Sequence, residues 1–297
     1  MIHGILVIDK PTGMTSHDVV QRVRRLAKQR RVGHLGTLDP LATGVLPIAL
    51  GEGTKLSQLL THGNKGYRGS IRLGLETTTY DLEGEVKARA EAPWPTLTEV
   101  EQCLQGFRGE ISQVPPPFSA IKQGGEAAYR RARRGESVEL PARDVIIHGL
   151  TLERYEAPFL KLEVKCSAGT YLRSLAHDVG RELGTGGCLW ELCRTVSGPF
   201  TVQGATPLAA LEAAGTIDPS LVIPMCAATG LPTCEVPAET ARRVSHGVRL
   251  LRRELRGVPH EGLLQLVAKG RMVALMEAEK GLPELRTVRV FLEGTAS

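Results

Sequence analysis

Aromatic residues are scarce in this chain: five Tyr, five Phe and two Trp make up 4% of its 297 residues. A packed interior must therefore come from Leu, Val, Ile and Ala, which a hydrophobic share of 42% permits. No apolar run approaches the roughly 20 residues that a membrane span needs. The opening segment, Met-Ile-His-Gly-Ile-Leu-Val-Ile-Asp-Lys, has no basic stretch ahead of a long apolar one, so a secretory signal is not expected. Also missing is any Cys-x-x-Cys pair. The six cysteines are Cys103, Cys166, Cys188, Cys193, Cys226 and Cys234, and none has a His partner at metal-finger distance. Reduced thiols and no metal site are expected. These absences describe a cytoplasmic globular protein with no membrane association. No internal repeat or low-complexity segment interrupts it.

The net charge of +5 says little, but its distribution says more. Residues 1–70 hold ten Lys or Arg against four Asp or Glu, and a second basic cluster is Arg130, Arg131, Arg133 and Arg134. Such patches fit a polyanionic partner through phosphate contacts, although any single charge run is more often a solvated face.

Apolar periodicity predicts the elements. Ile5 to Asp9 reads as a short buried strand, broken by Lys10-Pro11-Thr12-Gly13. A helix follows with Ser16 as its expected cap, Val19, Val20, Val23, Leu26 and Ala27 on one face, and Arg22, Arg25 and Lys28 on the other. Residues 31–53 read as a Gly- and Pro-punctuated loop running into a strand near Val45 to Leu50, with a helix from Thr54 to about Leu60. Tyr67 to Leu75 alternates like a strand. Thr98 and Glu101 suggest a capping box. Pro115-Pro116-Pro117 cannot be helix, and an ordered extended loop is expected there. Leu160, Leu162, Val164 and Cys166 mark a half-buried strand, and Leu172, Leu175, Ala176, Val179 and Leu183 a helix. After Pro224 the texture changes to short apolar runs between Gly and charged turns. A mostly β module is expected there, giving domains at 1–229 and 230–297.

The least ordinary stretch is Gly33-His34-Leu35-Gly36-Thr37-Leu38-Asp39-Pro40. Pro40 restricts Asp39 to an extended conformation, and the glycines permit close backbone approach. A carboxylate presented from a constrained loop between leucines suits chemistry. On loop context alone, an Asp that merely caps a turn is the commoner explanation.

The run Gly33 to Pro47, Gly-His-Leu-Gly-Thr-Leu-Asp-Pro-Leu-Ala-Thr-Gly-Val-Leu-Pro, resembles the signature of the TruB pseudouridine synthases. Asp9 to Ser16 resembles the N-terminal motif of that family, Lys65-Gly66-Tyr67 the segment of its active-site tyrosine, and Gln113 to Lys122 its proline-rich loop. Ser167-Ala168-Gly169-Thr170-Tyr171-Leu172-Arg173 resembles the motif ending in its active-site arginine. Leu192 to Phe200 resembles its last motif, with Cys193 where an arginine is frequent. The resemblance spans about residues 3–225, and the tail loosely resembles an RNA-binding PUA-like module.

The resemblance implies an α+β fold: a pseudouridine synthase core with a mixed, largely antiparallel sheet, plus a small C-terminal β-rich PUA-like module. It implies isomerisation of uridine 55 in the TΨC loop of tRNA, with the base flipped into a pocket and no cofactor. Asp39 would be the catalytic carboxylate, acting as nucleophile at C1′ or C6 or as base toward the sugar. Arg173 would pair with it. Tyr67 would stack on the base and serve a late proton transfer. On the substrate side stand His34, Lys10, Tyr171, Leu192, Arg131 and Arg134. Of these, His34 would contact RNA, Leu192 would wall the pocket, and Lys10 with Pro11 would brace the loop. The expected partner is the tRNA T stem-loop, bound by a monomer with no guide RNA. Two rivals are a non-catalytic RNA-binding scaffold and a glycoside hydrolase, the latter needing a second carboxylate that no motif beside Asp39 supplies.

Overall fold

The computed structural model describes residues 1–291 apart from 120, 124, 129, 130, 132, 133, 135 and 137–139. Its main sheet is built on β1 (Gly4–Lys10), β2 (Thr43–Leu50), β3 (Lys65–Leu73), β4 (Gly109–Gln113), β5 (Arg143–Glu156), β6 (Phe159–Cys166), β7 (Gly187–Ser197) and β8 (Thr206–Pro207). The order is β8-β1-β2-β7-β3-β6-β5-β4. Only β8–β1 and β2–β7 run parallel, so the sheet is mixed and largely antiparallel, as expected. The late strand β7 lies between β2 and β3. It thereby joins the Asp39 loop, which precedes β2, to Tyr67 on β3. In β6, Leu160, Leu162, Val164 and Cys166 are buried and alternate with residues that are less so, the period of two read from the sequence.

Helix α1 (Ser16–Ala27) buries Val19, Val20 and Val23 against Ile8, Leu46 and Ile48. Its cap is Thr15, one residue before the expected Ser16. The Thr15 hydroxyl accepts from the Asp18 N–H, and the Asp18 carboxylate accepts from the Thr15 N–H. Ser16 is displaced into the interior, where its hydroxyl bonds the Leu38 backbone in the loop that carries Asp39. Helix α2 (Leu97–Gln105) is likewise capped two residues early, by Thr96 and Glu99 rather than Thr98 and Glu101. Both shifts have one cause. Several Thr and Ser lie near each helix start, and only the one with extended backbone can turn its hydroxyl back to the first turn. The helix expected from Thr54 divides into a 3-10 turn (Gly51–Leu56) and a short α-helix (Ser57–Thr61). Helix α3 (Leu172–Glu182) buries Leu175, Ala176 and Val179 against Ile71, Leu162 and Leu189.

The C-terminal module is a second sheet of β9 (Thr233–Glu235), β10 (Leu250–Leu251), β11 (Gly262–Ala268), β12 (Arg271–Ala278) and β13 (Glu284–Val290). Its own core holds Leu264, Leu266, Val273 and Met276. On its other side Met272, Leu275 and Phe291 enter one cluster with Ile5, Val7, Leu35 and Val45. Leu35 stands four residues before Asp39, so the module packs against the root of that loop.

Candidate active site

The Asp39 loop is tied down at many of its backbone groups. The Leu35 N–H donates to the Pro47 carbonyl at 2.8 Å, and the Gly13 N–H to that of Pro40 at 2.8 Å. Ser16 Oγ donates to the Leu38 carbonyl (3.0 Å) and accepts from the Leu38 N–H (2.8 Å). Lys10 is fully buried, and its ammonium donates to the carbonyls of Pro11 (2.9 Å), Met14 (2.7 Å) and Pro40 (3.3 Å). Arg194, 1% exposed, donates to the carbonyls of Gly36 (3.2 Å), Thr37 (3.2 Å) and Val45 (2.8 Å). Leu38 and Leu41 on either side of Asp39 are buried. Two buried cations thus satisfy carbonyls that a tight loop would otherwise leave unpaired.

Asp39 projects from this loop with a third of its side chain exposed, toward Arg173 in the first turn of α3. Arg173 Nε lies 2.9 Å from Asp39 Oδ2, an ion-pair contact rather than an aligned hydrogen bond, and Nη2 donates to Oδ1 at 3.2 Å. Other donors of the same guanidinium reach the Thr79 and Phe118 carbonyls at 3.1 and 3.0 Å. A cation at a helix start opposes the dipole, and these acceptors offset that. The start of α3 is fixed in turn by the proline-rich loop. Gln113 exchanges two hydrogen bonds with the Tyr171 backbone, and Ser174 Oγ donates to the Val114 carbonyl.

The pair opens into a cavity of about 440 Å³ lined by Asp39, Tyr67, Tyr171, Arg173, Leu192 and Arg194 among others. That volume lies within the usual range of small-molecule pockets, roughly 300–1,000 Å³. Tyr67 is 8% exposed, and burial pushes its phenol above the ordinary value of 10.0. It stands opposite Arg194 in the β3–β7 register. A carboxylate, a fixed guanidinium and an aromatic ring around that space can hold a base and act on its sugar bond.

Residues 24–172 match the family described as TruB family pseudouridylate synthase (N terminal domain). A relative from Thermobifida fusca (strain YX), named tRNA pseudouridine synthase B, is 46% identical over 95% of this chain and 96% of its own. The chain belongs to the TruB family of pseudouridylate synthases. A protein of the same name from Gloeobacter violaceus is 48% identical over 84% of this chain and 87% of its own. Among solved structures, the "Crystal Structure of a Cbf5-Nop10-Gar1 Complex" aligns with a TM-score of 0.74 at 26% identity, covering 99% of this chain and 87% of that one. The TruB match also identifies the chain as an enzyme, an isomerase of uridine in RNA.

Of the residues singled out in the sequence, Asp39, Tyr67, Tyr171, Arg173 and Leu192 meet in this TruB-family cavity. Lys10 does not line it; its donors are spent on the loop, and burial pushes its pKa down to about 8. His34 ends the short strand Val32–His34 outside the lining. Its Nδ1 is buried without a hydrogen-bond partner, and burial, then Arg194 and His17, lower its pKa. Arg131 and Arg134 lie in an ion-pair network, Arg131 with Glu136 and Arg134 with Glu126 and Glu136. Arg130 and Arg133 lie outside the described residues.

Three polar residues near the site escaped the sequence reading. Arg194 had a usable signal: period two places it on the same strand face as Leu192. Lys65 lines the cavity with its ammonium donating to the Thr61 and Gly63 carbonyls, and burial brings it to about 8. Asp81 Oδ2 lies 3.6 Å from Arg173 Nε, so a second carboxylate does stand near Asp39 in space. Asp81 is buried behind the arginine, accepts from Thr79 Oγ and the Glu83 N–H, and is absent from the cavity lining. It is not placed as the second acid of a glycoside hydrolase.

Proposed function

We propose that this enzyme converts uridine 55 in the T loop of tRNA to pseudouridine after flipping the base into the Asp39 cavity. The observation that carries this reading is the Asp39–Arg173 pair at the mouth of this cavity, on a chain whose relatives are named for tRNA pseudouridylation. In this reading Arg173 orients the carboxylate, and Asp39 acts at C1′ or C6 as nucleophile or takes a sugar proton. Tyr67 stacks on the base, and Leu192 and Tyr171 wall it. His34 meets the RNA outside the pocket. The N1–C1′ bond breaks, the base turns, C5 bonds to C1′ and gives up its proton, and N1 takes one up, so atoms balance. Nothing is oxidised or transferred away, so the reaction needs no cofactor.

The T stem-loop is recognised largely by shape and phosphates, with Arg131 and Arg134 among the contacts. Residues 1–229 act as the catalytic domain and 230–297 as an RNA-binding module. The enzyme works as a monomer on free tRNA in the cytoplasm, without a guide RNA. Among the described residues no helix is long and apolar enough to cross a membrane. Incubation with unmodified tRNA followed by carbodiimide-stop mapping tests the reading. A single new stop at position 55 is expected; tRNA bound but left unmodified there would overturn it.

A further inference from the structure

Tyr80 is held at φ 64°. A bulky side chain adopts this left-handed conformation only where its surroundings over-determine it, commonly near functional sites. The residues on either side of it both contact the active-site arginine. The Thr79 carbonyl accepts from Arg173 Nη1 at 3.1 Å, and Asp81 Oδ2 lies 3.6 Å from Arg173 Nε. The Tyr80 ring itself lies flat on His177, with centroids 3.9 Å apart and planes within 2°. His177 follows Arg173 by one turn of α3, so the two side chains leave the same helix face. Helix α3 therefore grips the 79–81 turn twice: by guanidinium on backbone and by imidazole on phenol. The Leu189 N–H donates to the Tyr80 carbonyl at 3.0 Å, and the Leu82 N–H to the Leu189 carbonyl at 3.1 Å. Those bonds tie the turn to β7; the stack ties it to α3.

We propose that Tyr80 and His177 form an aromatic clamp that positions Arg173, and through it Asp39, for the isomerisation. Both are positioning residues, and neither lines the cavity. The proposal rests on the reading of Asp39 and Arg173 given above. Two local costs are tolerated to keep the clamp: the left-handed Tyr80, and a His177 Nδ1 buried without a hydrogen-bond partner.

Four variants of the full chain test it: Tyr80→Gly, Tyr80→Phe, His177→Ala and His177→Phe. Glycine suits the left-handed backbone, so Tyr80→Gly removes the ring while relieving strain, and its melting temperature should not fall. With transcribed tRNA, Tyr80→Gly and His177→Ala should lose roughly tenfold or more in kcat at unchanged KM, whereas both Phe variants stay within about twofold of wild type. A second readout needs no turnover. In protein labelled with [15N]arginine, the Arg173 Nε–H signal, assigned by its loss in Arg173→Lys, should exchange faster with solvent in Tyr80→Gly and His177→Ala only. Wild-type kcat in Tyr80→Gly, Phe variants as impaired as Gly and Ala, or lost kcat with unaltered Nε–H exchange would each overturn the clamp. If wild type itself makes no pseudouridine, the functional reading fails, and the exchange measurement decides the clamp alone.

Discussion

At the residue scale, the site depends on one partly exposed carboxylate paired with Arg173, on a loop held by the buried cations Lys10 and Arg194. Asp39→Asn keeps the shape and removes the charge. It should lower kcat by roughly 1,000-fold or more while tRNA affinity stays within about threefold, because binding is spread over many phosphate and shape contacts. Single-turnover assays and filter binding check this; affinity falling as far as activity would make Asp39 a structural residue. His34 and His177 supply a pH prediction. Burial is the first cause lowering both below the ordinary imidazole value of 6.5. Above 6.5 neither the folded nor the unfolded chain protonates them. Below it the unfolded chain takes up protons that the folded chain refuses, so their contribution is full above 6.5 and lost as pH falls through the depressed folded values. Urea midpoints should drop between pH 7 and pH 5, and His177→Phe should flatten that drop. An unchanged slope in the variant would remove His177 from the account.

At the element scale, the insertion of β7 between β2 and β3 makes the site. One tight approach is at Gly44 on β2, held at φ 93°, where an added Cβ would lie 2.3 Å from the Arg194 carbonyl and 2.9 Å from Cys193 Sγ. Neither the conformation nor the space admits a side chain. Gly44→Ala should cost at least ~2 kcal/mol, the left-handed penalty plus displacement of β7, and should lower kcat because Arg194 moves with its strand. Thermal melts and turnover measured together test this; a wild-type melting temperature would mean that the β2–β7 contact yields easily. The same strand pairing explains why the partners of Arg194, unlike its strand face, escape a reading along the chain. Its three acceptors belong to the loop before β2 and to β2 itself.

At the scale of the whole molecule, the C-terminal module shares a core with the main sheet. Truncation after Thr229 would uncover Ile5, Val7 and Leu35 where Met272, Leu275 and Phe291 now cover them. At roughly 2 kcal/mol for each buried apolar side chain, the loss should reach several kcal/mol, read as a lowered melting temperature and poor solubility. A truncated chain that melts like the full one would show the shared cluster to be dispensable. The basic cluster makes a separate prediction. Arg131 and Arg134 already hold glutamates, so an RNA phosphate must compete with Glu126 and Glu136. If both do contact phosphates, the charge-reversed pair Arg131→Glu/Arg134→Glu should reduce the slope of log affinity against log salt by roughly two. An unaltered slope would take this patch out of the RNA interface.

What the sequence determined by itself is local. The period of two in β6, the buried Val face of α1 and the constrained Gly-Pro setting of Asp39 all arise from residues within a few positions of each other. Such patterns survive without knowledge of the rest of the chain. The motifs around Tyr67, Arg173 and Leu192 singled out, by resemblance, residues that the fold brings into one cavity, but not their geometry. The tertiary structure alone decided that Arg173 sits between Asp39 and Asp81, that Arg194 holds the Gly36–Thr37 turn, and that Lys10 is consumed by the loop. It also decided that Thr15 caps α1 while Ser16 tethers Leu38, and that Leu35 lies against the C-terminal sheet. The physical reason is that each of these pairings joins segments brought together only by the strand order. Which buried donor meets which carbonyl is settled when the sheet register closes, and no local pattern encodes that register.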